Sequence, residues 1–413
     1  MTQAPILTLN GGSSSLKFAV FEPGDPPARQ LSGNLERIGH RDAALSVREP
    51  SAAGAAAVAP RSVSAADHAA ALGVILDELR RRALPPPAAI GHRIVHGGET
   101  YVAPAVITSA MLTELRRLSP LAPEHLPAEL AVIQSCTQTF PELPQVACFD
   151  TAFHRTLPAV ARLLPLPRRF AAQGVRRYGF HGLSYTFLQA ELQRLCGAAA
   201  ARGRHIFLHL GNGASLAAIK DGECIDTSMG FTPTAGLVMG TRTGELDPGL
   251  FPYLLRQNQM SADQLERLLN HESGLLGISE TSSDMRELLA QEASDCRAAE
   301  AIELFCYQAK KWLGAYAAAL GGLDTVVFSG GIGEHAPAIR ARICAGLEFL
   351  GIAVDKERNE KSAAVISPES SQVAVRVIPT DEERVIAEAV AAIIAAPGRG
   401  TSPTILPAGR SDP

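Results

Sequence analysis

The chain has 413 residues, 38 basic against 42 acidic side chains, 46% apolar content and a mean hydropathy near zero. That length exceeds what one hydrophobic core supports and fits two domains, while near-neutral charge without a basic stripe or interleaved aromatics argues against nucleic acid as a partner. No stretch reaches the roughly 20 apolar residues that span a bilayer. The start Met1-Thr2-Gln3-Ala4-Pro5 lacks the charged segment of a signal peptide. The seven scattered cysteines, with no Cys-x-x-Cys pair, read as reduced thiols in a cytoplasmic protein.

The first element is the apolar run Ile6-Leu7-Thr8-Leu9, followed by Asn10-Gly11-Gly12-Ser13-Ser14-Ser15 and then Leu16-Lys17-Phe18-Ala19-Val20-Phe21. This pattern predicts a strand, a tight turn and a second strand. A turn of this composition either aims N–H groups and short hydroxyls at a phosphate, with Lys17 as a nearby point charge, or is an ordinary hairpin loop. Residues 31–50 read as short strands with turns and residues 51–60 as an exposed loop. Ser64-Ala65-Ala66-Asp67 predicts a capping box before a helix with the apolar stripe Leu72, Ile75, Leu76 and Leu79, ended by Pro85-Pro86-Pro87. A strand over 89–95 and helices over 111–118 and 127–140 follow. The short strand 146–149 then delivers Asp150 at its carboxyl end, where α/β sheets place chemistry.

A second strand–turn–strand comes at Ile206-Phe207-Leu208-His209-Leu210, Gly211-Asn212-Gly213-Ala214-Ser215 and Leu216 to Gly222. Two units of one grammar, about 200 residues apart, point to two related halves facing one nucleotide. Helices are predicted over 185–195, 252–258, 262–269, 283–291 and 298–320. The strand Thr325-Val326-Val327-Phe328 opens into a third glycine-rich turn, Ser329-Gly330-Gly331-Ile332-Gly333-Glu334-His335. A last strand covers 375–378, a last helix 382–395, and residues from 397 onward read as a frayed tail.

In this order the chain resembles the acetate and propionate kinase family of the actin–hexokinase ATPase superfamily, over about residues 5–390. The resemblance rests on the turn at 10–17, Gly91-His92-Arg93-Ile94-Val95-His96-Gly97-Gly98-Glu99 and Phe149-Asp150-Thr151-Ala152-Phe153-His154. It continues through Arg177-Tyr178-Gly179-Phe180-His181-Gly182, His209-Leu210-Gly211-Asn212-Gly213 and Gly240-Thr241-Arg242-Thr243-Gly244. Ser282-Ser283-Asp284-Met285-Arg286, the turn at 331–334 and Ile378-Pro379-Thr380-Asp381-Glu382-Glu383 complete it. It implies an α/β fold of duplicated ribonuclease-H-like (actin-like ATPase) domains with a nucleotide cleft between them. Residues 1–150 with 380–413 would form one domain and 151–379 the other.

The activity so implied is reversible, ATP- and Mg²⁺-dependent (or Mn²⁺-dependent) phosphorylation of a small carboxylate, acetate or another short acid, in a homodimeric protein. By the same resemblance Asp150, His181 and Arg242 are catalytic, and Arg93, Val95, Phe180, Pro233 and Glu124 bind substrate. Lys17, Ser13, Ser15 and His209 through Gly213 (Leu210, Gly211, Asn212) hold the phosphates. Asp284, Met285 and Arg286, with Gly331, Ile332, Gly333, Glu334 and His335, hold the adenosine of ATP or ADP. Asn10 and Glu382 match the magnesium ligands, with Glu383 as an adjacent alternative. A carboxylate is already ionised at pH 7, so Asp150 is expected to hold an arginine or a metal-bound water rather than to act as a base. Three departures from the family pattern stand out: Glu124 where Leu is usual, His335 where Asn is common, and Asp381 as an alternative to Asn. Glu124 bears on which acid the acyl pocket takes, since a buried unpaired carboxylate is costly.

Overall fold

The computed structural model describes residues 4–12, 14–50, 56–57 and 59–395. The chain divides into two compact units, Met1–Phe153 with Asp381–Pro413, and His154–Thr380.

In the first unit the strands are β1 (Ile6–Gly11), β2 (Ser15–Glu22), β3 (Ala28–Glu36), β4 (Ala44–Glu49), β5 (Ala56–Ala57), β6 (Arg61–Ser62), β7 (Ala89–Ile94), β8 (Ala105–Val106) and β9 (Gln145–Phe149). Among the described residues they form one sheet in the order β5-β4-β3-β2-β1-β7-β9-β8, with β6 beside β4. β1 and β9 are buried along their whole length, as strands covered on both faces are. In the second unit β10 (Arg204–Leu210), β11 (Ala214–Lys220), β12 (Glu223–Thr227), β13 (Thr325–Ser329) and β14 (Ala374–Val377) run in the order β12-β11-β10-β13-β14. The two sheets share one plan. Each opens with antiparallel strands β1-β2-β3 or β10-β11-β12, and each first strand then pairs in parallel with a later one, continuing as β7-β9 or β13-β14. The duplicated α/β architecture expected from the motifs is therefore present.

Most helices begin and end where local chemistry requires. The helix His68–Arg81 buries Leu72, Ile75, Leu76 and Leu79 against Leu7, Leu9 and Phe18. Its cap is Asp67, whose Oδ1 accepts the Ala70 N–H at 2.8 Å, and not Ser64. Ser64 lies too far ahead of the first turn, and the third helical residue, Ala70, has only a methyl group and cannot complete a capping box. The helix Cys296–Leu320 starts on Asp295 and stops at Gly321, which adopts φ +69°, the left-handed stop that glycine supplies.

Two further sequence expectations are corrected. The third glycine-rich turn is a short helix, Gly330–His335, and within the loop expected over 51–60, Ala56–Ala57 pairs with β4. The rest of that run, apart from 59–60, and the expected frayed tail lie outside the described residues. Short helices at Ala159–Arg162, Arg168–Ala171, Gly274–Ser279, Pro337–Cys344 and Lys356–Glu360 carry too few residues to show a period, and periodicity did not announce them.

The terminal helix Glu382–Ala395 packs on β1 and β7. Gly91 in β7 permits that approach: a Cβ there would run into Ile386 and lie 2.8 Å from Val390 Cγ2. Gly91→Val should therefore destabilise the first unit by roughly 1–3 kcal/mol through overpacking. Gly73→Ala, in an exposed helical site with nothing within 4 Å among the described residues, should stabilise by about 0.5–1 kcal/mol. Scanning calorimetry of the two variants reads both shifts, and an unchanged transition in Gly91→Val would contradict the packing described.

Candidate active site

In the first unit the sheet register sets the site. Parallel pairing of β7 with β9 matches Arg93 to Cys148, so the arginine leaves its strand beside Asp150, the first residue after β9. Arg93 Nε and Nη2 both donate to Asp150 Oδ2, at 3.0 and 2.6 Å, and Nη1 donates to Asn10 Oδ1 at 3.2 Å. Asn10 Nδ2 in turn donates to Glu382 Oε2 at 3.3 Å. Four sequence-predicted residues, from β1, β7, the turn that follows β9 and the terminal helix, thus form one chain of contacts.

Burial on its own would lower the basicity of the Arg93 guanidinium. The carboxylates of Asp150, Glu382 and Glu129 outweigh it and raise the pKa, so Arg93 is charged at every working pH. Glu382 is pushed up by burial and by Asp150, against the pull of Arg93 and Lys17. Asp150 is fully buried, and its second oxygen, Oδ1, has no hydrogen-bond partner among the described residues. Lys17 faces Asn10 across the β1–β2 ladder and is exposed. The turn between them is closed by the Gly12 N–H donating to Ser15 O at 2.8 Å, and it is anchored by His68 Nε2 on Gly12 O at 2.8 Å. Ser13 lies outside the described residues. Glu124 is half-buried, just ahead of the helix Leu126–Thr139. Asp381 is ion-paired with Arg29, so its charge is balanced locally.

Sequence reasoning missed Glu129. Both its oxygens accept the Val95 N–H, at 3.2 and 3.0 Å, and it is 2% exposed. Its signal was positional: in the helix Leu126–Thr139 it falls on the stripe of Leu126, Val132, Ile133 and Cys136, where an acidic residue is out of place. Burial raises its pKa to about 8, with Asp150 adding to the shift and Arg93 and the Val95 N–H opposing it.

In the second unit Gly213 is the meeting point. A Cβ there would lie 3.2 Å from His181 Nε2 and 3.8 Å from Arg242 Nη1. Arg242 Nη1 donates to Pro233 O at 3.1 Å, and the His181 ring stacks on His209 with centroids 4.2 Å apart. Phe180 and Leu210 are buried. Asn212 abuts Gly240, whose N–H donates to its carbonyl at 2.9 Å. The short helix from Gly330 sits against this turn: Gly330 has φ +75°, and the Leu210 backbone would lie 2.7–2.9 Å from any Cβ.

Two expected nucleotide contacts look different in place. Met285 is a core residue, 3% exposed, leaving Asp284 and Arg286, which pair with each other at 2.5 Å, as the surface groups. Glu334 Oε1 accepts the N–H groups of Gly330 and Thr380, at 2.9 and 3.1 Å. Its carboxylate shapes the glycine segment from within, while Gly331 and His335 are exposed.

Among the described residues no three His, Cys, Asp or Glu side chains gather as a metal-holding group. The amide oxygen of Asn10 and the carboxylate of Glu382 are hard oxygen donors beside an orphaned buried carboxylate oxygen, a set that suits a hydrated divalent cation.

The sequence pattern described as the Acetokinase family matches residues 5–388. The chain is 46% identical over 399 residues to an acetate kinase of Methylocella silvestris, covering 94% of this chain and 98% of that protein. Among solved structures, the acetate kinase of Porphyromonas gingivalis superposes with a TM-score of 0.85 at 38% identity, over 95% of this chain and 100% of that one. A propionate kinase from Francisella tularensis superposes with a TM-score of 0.86 at 36% identity, over 94% and 99%.

The raised pKa of Glu129 has a signed consequence. Between its ordinary 4.5 and about 8 the folded state holds a proton that the unfolded chain releases, so this group costs stability progressively as pH rises through that window. Glu129→Gln keeps an acceptor for Val95 and removes the titration. The stability of the variant relative to wild type should rise from pH 5 to pH 8.5, measured as paired urea midpoints. Parallel curves would contradict the assignment.

Proposed function

The chain belongs to the acetokinase family, and on that premise we propose that it is an acetate kinase transferring the terminal phosphoryl group of ATP to acetate, reversibly and in line. The correspondence with acetate kinases along residues 5–388 carries this reading. The chemistry asks little covalent work of the protein: acetate is ionised at pH 7, so the obstacle is repulsion between two anions, and positioning with charge neutralisation is the task.

On the first unit Arg93 receives the carboxylate. A guanidinium has five N–H donors; three of its bonds go to Asp150 and Asn10, which leaves donors for substrate and fixes the plane of the fork. Asp150 works by holding Arg93. On the second unit Arg242 and His181 neutralise the oxygens of the moving phosphoryl group, and the Gly211–Gly213 turn gives it N–H donors. Lys17, Ser15 and Ser13 serve the phosphates. Asp284, Arg286 and the Gly331–His335 segment serve the adenosine. By the family resemblance the acyl group is assigned Val95 and Glu124 on the first unit and Phe180 and Pro233 on the second.

Asn10 and Glu382 would hold Mg²⁺; Glu382 is chosen over Glu383 because it is the one in contact with Asn10. Two protein ligands leave most positions to water and phosphate, as Mg²⁺ prefers. When bound, the ion offsets phosphate charge. The seven cysteines are all free thiols, which fits the cytoplasm. A homodimer, implied by the family resemblance, is read by sedimentation of the purified protein.

Trapping acyl phosphate with hydroxylamine across C1 to C5 carboxylates tests the function. Acetate should give the highest kcat/KM; a clear preference for propionate or a longer acid would move the reading to another short-chain kinase, and no hydroxamate from any acid would overturn it. Arg242→Ala should lower kcat by 10³-fold or more, in the range about 10³–10⁵ that such arginines supply, with a small change in acetate KM. Retention of more than about a tenth of turnover, worth ~1.4 kcal/mol, would contradict its role.

A further inference from the structure

We propose that Ser215, backed by Tyr185, is a positioning residue that fixes the orientation and tautomer of His181, so that its Nε2–H is the edge presented to phosphate. This deepens the reading of His181 as a donor to the phosphoryl oxygens and rests on it.

The geometry lies within the second unit. His181 occupies the left-handed backbone region, φ +58° and ψ +25°, immediately before the helix Gly182–Ala200. For a residue with a Cβ that conformation is strained and persists only where surrounding contacts over-determine it. Those contacts are visible on the ring. Its Nδ1 lies 2.8 Å from Ser215 Oγ, and the same Oγ lies 2.5 Å from Tyr185 Oη. Ser215 and Tyr185 are both fully buried. One ring face stacks on His209, whose Nδ1 is in turn 2.9 Å from the buried Ser184 Oγ. The other ring nitrogen, Nε2, lies over Gly213, where a Cβ would crowd it at 3.2 Å.

A hydroxyl carries one proton and two acceptor lone pairs. If Tyr185 Oη donates to Ser215 Oγ, then Ser215 donates to Nδ1, and the imidazole proton resides on Nε2. Reversal of the chain, with Nδ1–H donating to Ser215 and Ser215 to Tyr185, accommodates the doubly protonated ring, where Nε2 also carries a proton; the neutral Nδ1–H tautomer, whose Nε2 would only accept, is the form that donation from Tyr185 through Ser215 selects against. With Tyr185 as the donor, Nε2 faces Gly213 as a donor, the role an anionic phosphoryl oxygen requires. A neutral hydroxyl holds the ring without fixing its charge, unlike a carboxylate placed behind it. Tyr185 is reached from the same helix that His181 opens, four residues on, so one helical turn carries the histidine and the far end of its support.

The test combines kinetics with ¹⁵N-imidazole NMR. Ser215→Ala and Tyr185→Phe should each lower kcat, Ser215→Ala by about 10–100-fold, with the KM values for ATP and acetate within about twofold of wild type. In Ser215→Ala the His181 resonances should shift toward mixed tautomers, which a purely structural role of the serine would not produce. In a His181→Ala background, adding Ser215→Ala should cost no further turnover, because the serine acts only through the ring. The inference is overturned if Ser215→Ala keeps more than half of wild-type kcat, if its loss multiplies with that of His181→Ala, or if the His181 ¹⁵N shifts are unchanged. Tyr185→Phe with NMR decides the matter should Ser215→Ala fail to fold. An inactive His181→Ala beside a fully active Ser215→Ala sinks this inference alone, whereas a fully active His181→Ala sinks the reading beneath it.

Discussion

A guanidinium held in a buried setting against a fully buried carboxylate is the interaction on which the first unit is organised. Removing either Arg93 or Asp150 would strand an uncompensated charge, which costs several kcal/mol in such surroundings. The pair exists because two parallel strands end side by side, and because Asn10 reaches the same guanidinium from the neighbouring hairpin. Three carboxyl groups act on the one cation and keep Arg93 charged, while burial raises the pKa of both Glu382 and Glu129. Glu129 completes the arrangement by gripping the backbone two residues beyond Arg93.

The second unit repeats the sheet but solves a different problem. The groups proposed to serve phosphate and adenosine gather there on turns: the Gly211–Gly213 loop, the left-handed entry at His181 and the glycine segment from Gly330. Close backbone approach is what brings them together, since a side chain at Gly330 would collide with the Leu210 backbone and one at Gly213 would crowd His181. Glu334 spends its carboxylate on N–H groups of that backbone, a use of an acidic residue that shapes a surface without lying on it.

Much of this was legible from residue order. The two hairpin signatures gave the duplicated sheets, and the apolar stripe of Leu72, Ile75, Leu76 and Leu79 gave its helix because burial imposes the 3.6-residue period. Asp150, Arg93, Asn10 and Glu382 were named from motifs, and the structure brings them into contact. What escaped was set by tertiary context. Glu129 is a polar residue on an apolar stripe, and only the approach of Val95 makes sense of it. The Ser215–Tyr185 support of His181 joins residues 30 and 34 apart across a helix and a strand, a contact that no local pattern encodes. Met285 looked like part of a ligand motif, and its burial is decided by the packing of the helix it begins.

The central claim is that Asp150 serves the reaction by orienting Arg93 and not by taking a proton. The measurement that bears on it most directly is a double-mutant cycle in kcat/KM for acetate, comparing Asp150→Asn, Arg93→Ala and the two combined. If Asp150 acts through Arg93, the combined variant should be about as impaired as Arg93→Ala alone, a strongly non-additive result for groups that work as a unit. Losses that multiply, with Asp150→Asn costing as much without Arg93 as with it, would give Asp150 an independent part in the chemistry and contradict the account.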